Sequence, residues 1–171
     1  MCTGLSKITR LEVGCGELAK GDVNVDLFPE ASILHRGGKP LSTHTIRNFV
    51  KADAQHLPFM NETFEEARAS HVIEHVSNPE LLLTEMLRVT KTLVVIRCPH
   101  RLGEKKRNPA HLYHFNIKWF ADWAKKNRVY CRGSTVDYRF WPNRLLRLIW
   151  IPYEIQVELR HRDFMGRRVP V

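Results

Sequence analysis

Leu11-Glu12-Val13-Gly14-Cys15-Gly16 decides how the rest of the chain is read. An apolar run ends abruptly in two glycines separated by one residue. In open α/β sheets ligands bind beyond the carboxyl ends of the strands. Glycine there lets the backbone approach a ligand, because no Cβ stands in the way. Ile8–Val13 is therefore expected to be a first strand, with Gly14, Cys15 and Gly16 as its ligand-facing turn. A GxG alone is weak, and the segments downstream of it give it weight.

Working outward, Asp22–Leu27 is a second β-rich run, with Asp26 near its end. A carboxylate there can accept hydrogen bonds from both hydroxyls of a ribose, a geometry that serves more than one nucleoside cofactor. Asn48–Lys51 is a third strand running into Ala52-Asp53, and Asp53 can accept from an exocyclic adenine amine. Three successive strand ends would then face one nucleoside. Residues 30–48 hold Gly37-Gly38 and Pro40, so any helix there is short. Phe64–Val72 is a fourth strand, arriving at Glu74-His75. Ser77-Asn78-Pro79-Glu80 opens a helix: Ser77 or Asn78 caps it, Pro79 suits the first turn, and Glu80 favours the positive end of the dipole. Leu82, Leu83, Met86, Leu87 and Val89 give that helix a broad apolar face. Lys91–Cys98 is a fifth strand stopped by Pro99, Asn116–Asn127 an amphipathic helix, and Val129–Phe140 and Glu154–Arg162 two final strands. Between these, the apolar stripe of Trp141–Tyr153 suits a core or a dimer contact better than a lid.

Four segments in order resemble the motifs of class I S-adenosylmethionine (SAM)-dependent methyltransferases, in particular the large type 11 group that includes ubiquinone- and menaquinone-pathway enzymes. They are the Leu11–Gly16 segment, Asn24-Val25-Asp26-Leu27, Ala52-Asp53-Ala54-Gln55-His56-Leu57-Pro58-Phe59, and Phe64–Val76. The resemblance covers about residues 8–100 and implies an α/β, Rossmann-like fold: a mostly parallel seven-stranded sheet with an antiparallel last strand and a shortened N-terminus. Residues 1–171 are expected to form a single domain. The resemblance implies that Glu12, Gly14 and Gly16, with Cys15 between them, shape the pocket for the amino-acid end of SAM. It implies further that Asp26 holds the ribose, that Leu27 lies against the adenine, that Asp53 and Ala54 meet the adenine edge, and that His71 lies near the sulfonium.

The chain departs from the pattern in four places. Glu17-Leu18 comes after the glycines where a third glycine and a long helix are usual. Glu65 replaces the usual aspartate after Phe64, and Lys91-Thr92 stands where a glycine pair usually precedes the fifth strand. Little precedes the first strand, which leads one to expect an open site, a large substrate or a partner chain that closes it.

Methyl transfer from a sulfonium is a direct displacement that the protein mainly aligns. A base is required only when the nucleophile must lose a proton, and histidine suits that role near neutral pH. His75, His100, His111 and His114 come after strands that end at the active face and are the candidate catalytic residues. His71-Val72-Ile73-Glu74-His75 also matches HxxEH, a zinc-peptidase signature that needs a helix to bring both histidines to one face. Here it straddles a strand end, so no metal ligand is assigned, and Glu74 and His75 holding a divalent ion is the lesser option.

Composition narrows the classes further. Hydrophobic residues make up 43 % of the 171, enough for a core. No run of about 18 apolar residues suggests a membrane span, and the first residues lack the apolar stretch of a signal peptide, so a cytoplasmic location is the default. Cys2, Cys15, Cys98 and Cys131 form no CxxC pair, which argues against a zinc ribbon or a disulfide framework. The formal net charge of +9 favours anionic partners, with the excess gathered in Arg101–Arg107 and Arg160–Arg168. The expected function is methyl transfer from SAM to a small-molecule acceptor, with oxygen the favoured atom. The alternatives are a nucleic-acid (RNA) methyltransferase and a non-catalytic SAM-fold partner subunit. A homodimer is compatible with the Leu145–Ile151 stripe.

Overall fold

The computed structural model describes residues 10–17, 19–28, 42–102, 108–137 and 152–161. The Trp141–Tyr153 stripe lies almost wholly outside them, as do Gly37-Gly38 and most of the two arginine-rich runs. Seven strands form one sheet: β1 (Arg10–Val13), β2 (Val23–Asp26), β3 (Phe49–Lys51), β4 (Phe64–Ser70), β5 (Thr90–Pro99), β6 (Val129–Asp137) and β7 (Pro152–His161). Their order is β3-β2-β1-β4-β5-β7-β6. The pairs from β3 through to β5 are parallel, and β7 runs antiparallel to both β5 and β6. This is the mostly parallel sheet with an antiparallel last strand that the motifs imply.

Alternation along the strands separates the two faces of the sheet. One face carries Leu11 and Val13, Ala67 and Ala69, Val94 and Ile96, and Val157 and Leu159, all fully or nearly fully buried and aligned across the strands by the register. Helices α1 (Pro79–Val89) and α2 (Ile117–Lys126) share one hydrophobic core with that face. The other face carries Arg10, Glu12, Glu66, Arg68, Arg97 and Glu158, also in register. Arg68 pairs there with Glu66, and Arg160 with Glu158. Parallel sheets are ordinarily apolar on both faces because helices cover both. Here the polar residues of RLEV and FEEARAS make one face charged among the described residues.

The capping signals act as expected. Asn78 is the N-cap of α1, its Oδ1 accepting from the Leu81 N–H at 3.1 Å, with Pro79 in the first turn. Asn116 caps α2 in the same way, accepting from the Trp119 N–H at 2.9 Å. Leu82, Leu83 and Met86 are fully buried, each worth about 1.5–3 kcal/mol relative to exposure. The missing glycine pair has a local reason: the C-cap of α1, Thr90, is already extended and is the first residue of β5. No separate turn intervenes. Likewise no helix separates β1 from β2 among the described residues, and the chain crosses between them in a turn. No helix of the described residues is long and apolar enough to cross a membrane.

α1 also holds the loop after β3. Glu85 Oε2 accepts the Leu57 N–H at 2.9 Å, while Arg88 donates to the carbonyls of Phe59 (2.8 Å) and Leu57 (3.0 Å) and to Glu85 itself. Arg88 holds the Glu85 carboxyl below the usual range. A group with a depressed folded pKa adds stability above its unfolded pKa and loses it as pH falls through the folded value. Glu85→Gln is accordingly expected to lower Tm by about 3–6 °C at pH 7, since hydrogen bonds to charged groups contribute about 1.5–3 kcal/mol. Thermal melts should show that difference narrowing toward pH 4. A difference independent of pH would contradict the linkage.

Candidate active site

The carboxyl ends of β1, β2 and β4 and the segment after β3 open onto a cavity of about 380 Å³, within the usual range for small-molecule sites of about 300–1,000 Å³. Gly14, Gly16, Asp26, Leu27, Asp53, Ala54 and His71 all line it, so the structure brings most of the sequence-expected cofactor residues to one surface. Each of three strands delivers its end to the cavity because β1 pairs with both β2 and β4 in parallel, which places their carboxyl ends side by side.

The glycines adopt the left-handed backbone that the turn requires, Gly14 at φ +64° and Gly16 at φ +51°. Asp26, only 7 % exposed, locks this turn. Its Oδ2 accepts the Gly16 N–H at 3.1 Å and its Oδ1 the Phe28 N–H at 2.9 Å. A carboxylate oxygen accepts more than one donor, and Asp26 lines the cavity, a position from which it could meet ribose hydroxyls. Leu27 and Phe28 are exposed at 38 % and 43 % beside it, apolar surface that a planar base would cover. Asp53 Oδ1 accepts the Gln55 N–H at 2.8 Å, an Asx-type turn. Gln55 in turn accepts from the Ser77 hydroxyl (3.0 Å) and the Asn78 N–H (2.8 Å), tying this turn to the start of α1.

Two expected cofactor residues do not line the cavity. Cys15 is buried and its N–H donates to the Val25 carbonyl at 3.0 Å. Glu12 alternates onto the charged face, where burial raises its carboxyl pKa against the opposing effects of Arg10 and Arg68. The period-2 alternation after Leu11 could have signalled this. Gln55, Val72 and Ser77 line the cavity without having been singled out. Their signal was only proximity to motif residues, which says nothing about where a side chain points.

Of the four candidate catalytic histidines, only His75 lines the cavity. Its Nδ1 lies 2.9 Å from the Ala110 carbonyl, an acceptor only, which places a ring proton on Nδ1. His111 packs edge-on against it with ring centroids 4.7 Å apart. His100 is 8 % exposed and accepts the Leu102 N–H through Nδ1; burial, with Arg101 nearby, lowers its pKa. It is not among the cavity-lining residues. His114 is exposed in the loop that carries His111 and is not among them either. That loop is held in place by the Glu74 carbonyl, which accepts the Leu112 N–H at 2.8 Å, and by the Tyr113 hydroxyl donating to the Ser77 carbonyl at 2.8 Å.

Within HxxEH the two histidines do not converge on one point. His71 turns to Glu74 (3.4 Å) and to Glu154 at the start of β7 (3.2 Å), and Glu74 chiefly raises its pKa. The structure instead brings Glu74, His75 and His111 together, with ligand atoms within 4.8 Å of one another, a set that could hold a cation. His111 was not associated with Glu74 by sequence spacing, because a loop closes between them.

The sequence profile described as "Methyltransferase domain" matches residues 11–96. An uncharacterized methyltransferase of Mycobacterium tuberculosis (strain H37Rv) is 37 % identical over 116 residues, 63 % of this chain and 45 % of the relative. The chain thus matches less than half the length of that curated relative. Among solved structures, a SAM-dependent methyltransferase from Thermotoga maritima is 16 % identical with a TM-score of 0.64, covering 92 % of this chain and 84 % of that one. A chain from the complex between the Haloferax volcanii Trm112 methyltransferase activator and a methyltransferase is 11 % identical with a TM-score of 0.67, covering 91 % and 84 %. At these identities the structural likeness concerns the fold.

Proposed function

Because this chain belongs to the methyltransferase domain family, we propose that it binds SAM at the carboxyl ends of its central strands and transfers the methyl group to a small-molecule acceptor, oxygen being the favoured atom, with residues 1–171 acting as one domain. The observation that carries this is the convergence of Asp26, Asp53, Gly14 and Gly16 on one cavity. The residues fit the group. Asp26 would take the ribose hydroxyls, Leu27 and Phe28 would flank the adenine, Asp53 and Ala54 would meet its edge, and the Cβ-free turn at Gly14 and Gly16 leaves room for the amino-acid end. When bound, SAM supplies a methyl group already activated by its sulfonium.

The work left to the chain is alignment of the acceptor and acceptance of its proton. His75 suits the proton-accepting role, since it lines the cavity and the Ala110 carbonyl orients its ring through Nδ1. This favours a hydroxyl or phenol as the acceptor group, since an oxygen nucleophile must lose a proton to react. Calorimetric titration of the purified protein with SAM and with S-adenosylhomocysteine (SAH) tests the reading. Micromolar binding of either is expected. A folded sample that binds neither would favour a non-catalytic subunit and sink the enzymatic reading.

A further inference from the structure

His71 follows β4 in a left-handed conformation, φ +55°, and two carboxylates from different elements lie against its side chain. Glu74 Oε1 lies 3.4 Å from Nδ1, and Glu154 Oε1 lies 3.2 Å from Nε2. Glu74 is fully buried, and the side chain of Glu154 is 16 % exposed. Glu154 reaches this place because β7 pairs antiparallel with β5, setting Glu154 opposite Pro99 at the carboxyl end of the parallel strands. Among the described residues, the other titratable groups around them are Arg97, whose carbonyl accepts the His71 N–H and whose Nε donates to Gln156, Cys98 on β5, whose thiol burial and both glutamates push up and keep neutral, and His75 and His111 beside Glu74.

Two carboxylates thus meet the single imidazole of His71, an acidic excess at that side chain. His71 lines the cavity, so the excess lies immediately behind the cavity wall. On the methyl-transfer reading the sulfonium would lie near His71, and SAM and SAH differ at that atom in two ways: the sulfonium carries a positive charge and a methyl group, and the thioether carries neither.

Building on the methyl-transfer reading, we infer that Glu154, acting through His71, is the positioning residue by which the cavity distinguishes SAM from SAH. The negative excess favours the charged sulfonium over the neutral product. Methyl transfer removes the positive charge, so the same arrangement that holds the cosubstrate weakens the hold on the product. The discrimination is supplied by β7, outside the four motif segments of the first half of the chain.

The test compares calorimetric dissociation constants for SAM and SAH in the wild-type chain, Glu154→Gln and Glu154→Asp. Removing one charge several ångströms away in a half-wet site corresponds to about a three- to tenfold effect. Glu154→Gln is therefore expected to weaken SAM by about that factor, with SAH held within about twofold. Glu154→Asp keeps the charge and should keep the wild-type ratio. Glu74→Gln, a second neutralisation of the same group, should shift the ratio in the same sense. A merely structural role would weaken both ligands together. Parallel shifts, or an unchanged ratio in Glu154→Gln, would overturn the inference while leaving the cofactor site standing. Failure of wild-type protein to bind either ligand would instead remove the cofactor reading, and this inference with it.

Discussion

Asp26→Asn is expected to weaken SAM and SAH alike by about 100-fold or more while the sheet stays folded. A charged acceptor shared by two ribose hydroxyls contributes about 1.5–3 kcal/mol for each hydrogen bond, and about 3 kcal/mol is a factor of roughly 100 in affinity. Asparagine is the better probe than alanine because Asp26 also holds the backbone. It accepts the N–H of Gly16 and of Phe28, and alanine would leave both donors without it. Asparagine keeps one acceptor oxygen, so the glycine turn is perturbed less than the ribose contact. Calorimetry with both ligands, alongside a thermal melt, separates the two effects. Unchanged affinity in a folded variant would remove Asp26 from the ribose site.

Gly14→Ala is expected to be the most damaging single methyl group in the chain's binding turn. Gly14 has φ +64°, and a Cβ placed there would lie 2.2 Å from Val72 Cγ2. The left-handed conformation costs an alanine about 1–2 kcal/mol, and overpacking adds about 1–3 kcal/mol. Together they correspond to a fall in Tm of about 5–15 °C. Ligand affinity should fall as well, since both Gly14 and Val72 line the cavity. The double variant Gly14→Ala/Val72→Ala divides the cost. Removing the valine methyls relieves the contact but leaves the backbone term, so it should recover part of the loss and not all of it. Full recovery would mean that the backbone conformation costs nothing there. No recovery would mean that Val72 is not what limits the turn.

The elements themselves were legible from local chemistry. Apolar runs, glycine stops and the Asn78-Pro79-Glu80 cap predict strands and helices whose observed ends lie within about three residues of those expected, because each signal acts on its own backbone. The strand-end lining of the cavity was legible too. Gly14, Gly16, Asp26 and Asp53 each sit at a strand's carboxyl end, and in a parallel sheet all such ends share one edge. Alternation within β1, visible in RLEV, turns Glu12 away from Leu11 and Val13, against the place in the pocket that the resemblance implied for it.

What the tertiary structure alone decided concerns groups joined by loop closure and by antiparallel return of the chain. Four histidines looked equivalent as loop residues. Packing left His75 on the cavity, placed His111 against it, and buried His100. His71 finds Glu154 only because β7 enters the sheet beside β5. The sequence by itself therefore determined the sheet, its helices and the cavity-facing strand ends, since those arise from short-range periodicity and backbone preference. The place of His75 on the cavity and the carboxylates around His71 were decided by tertiary structure, because contacts between residues as much as 83 positions apart depend on the register and topology of the whole sheet.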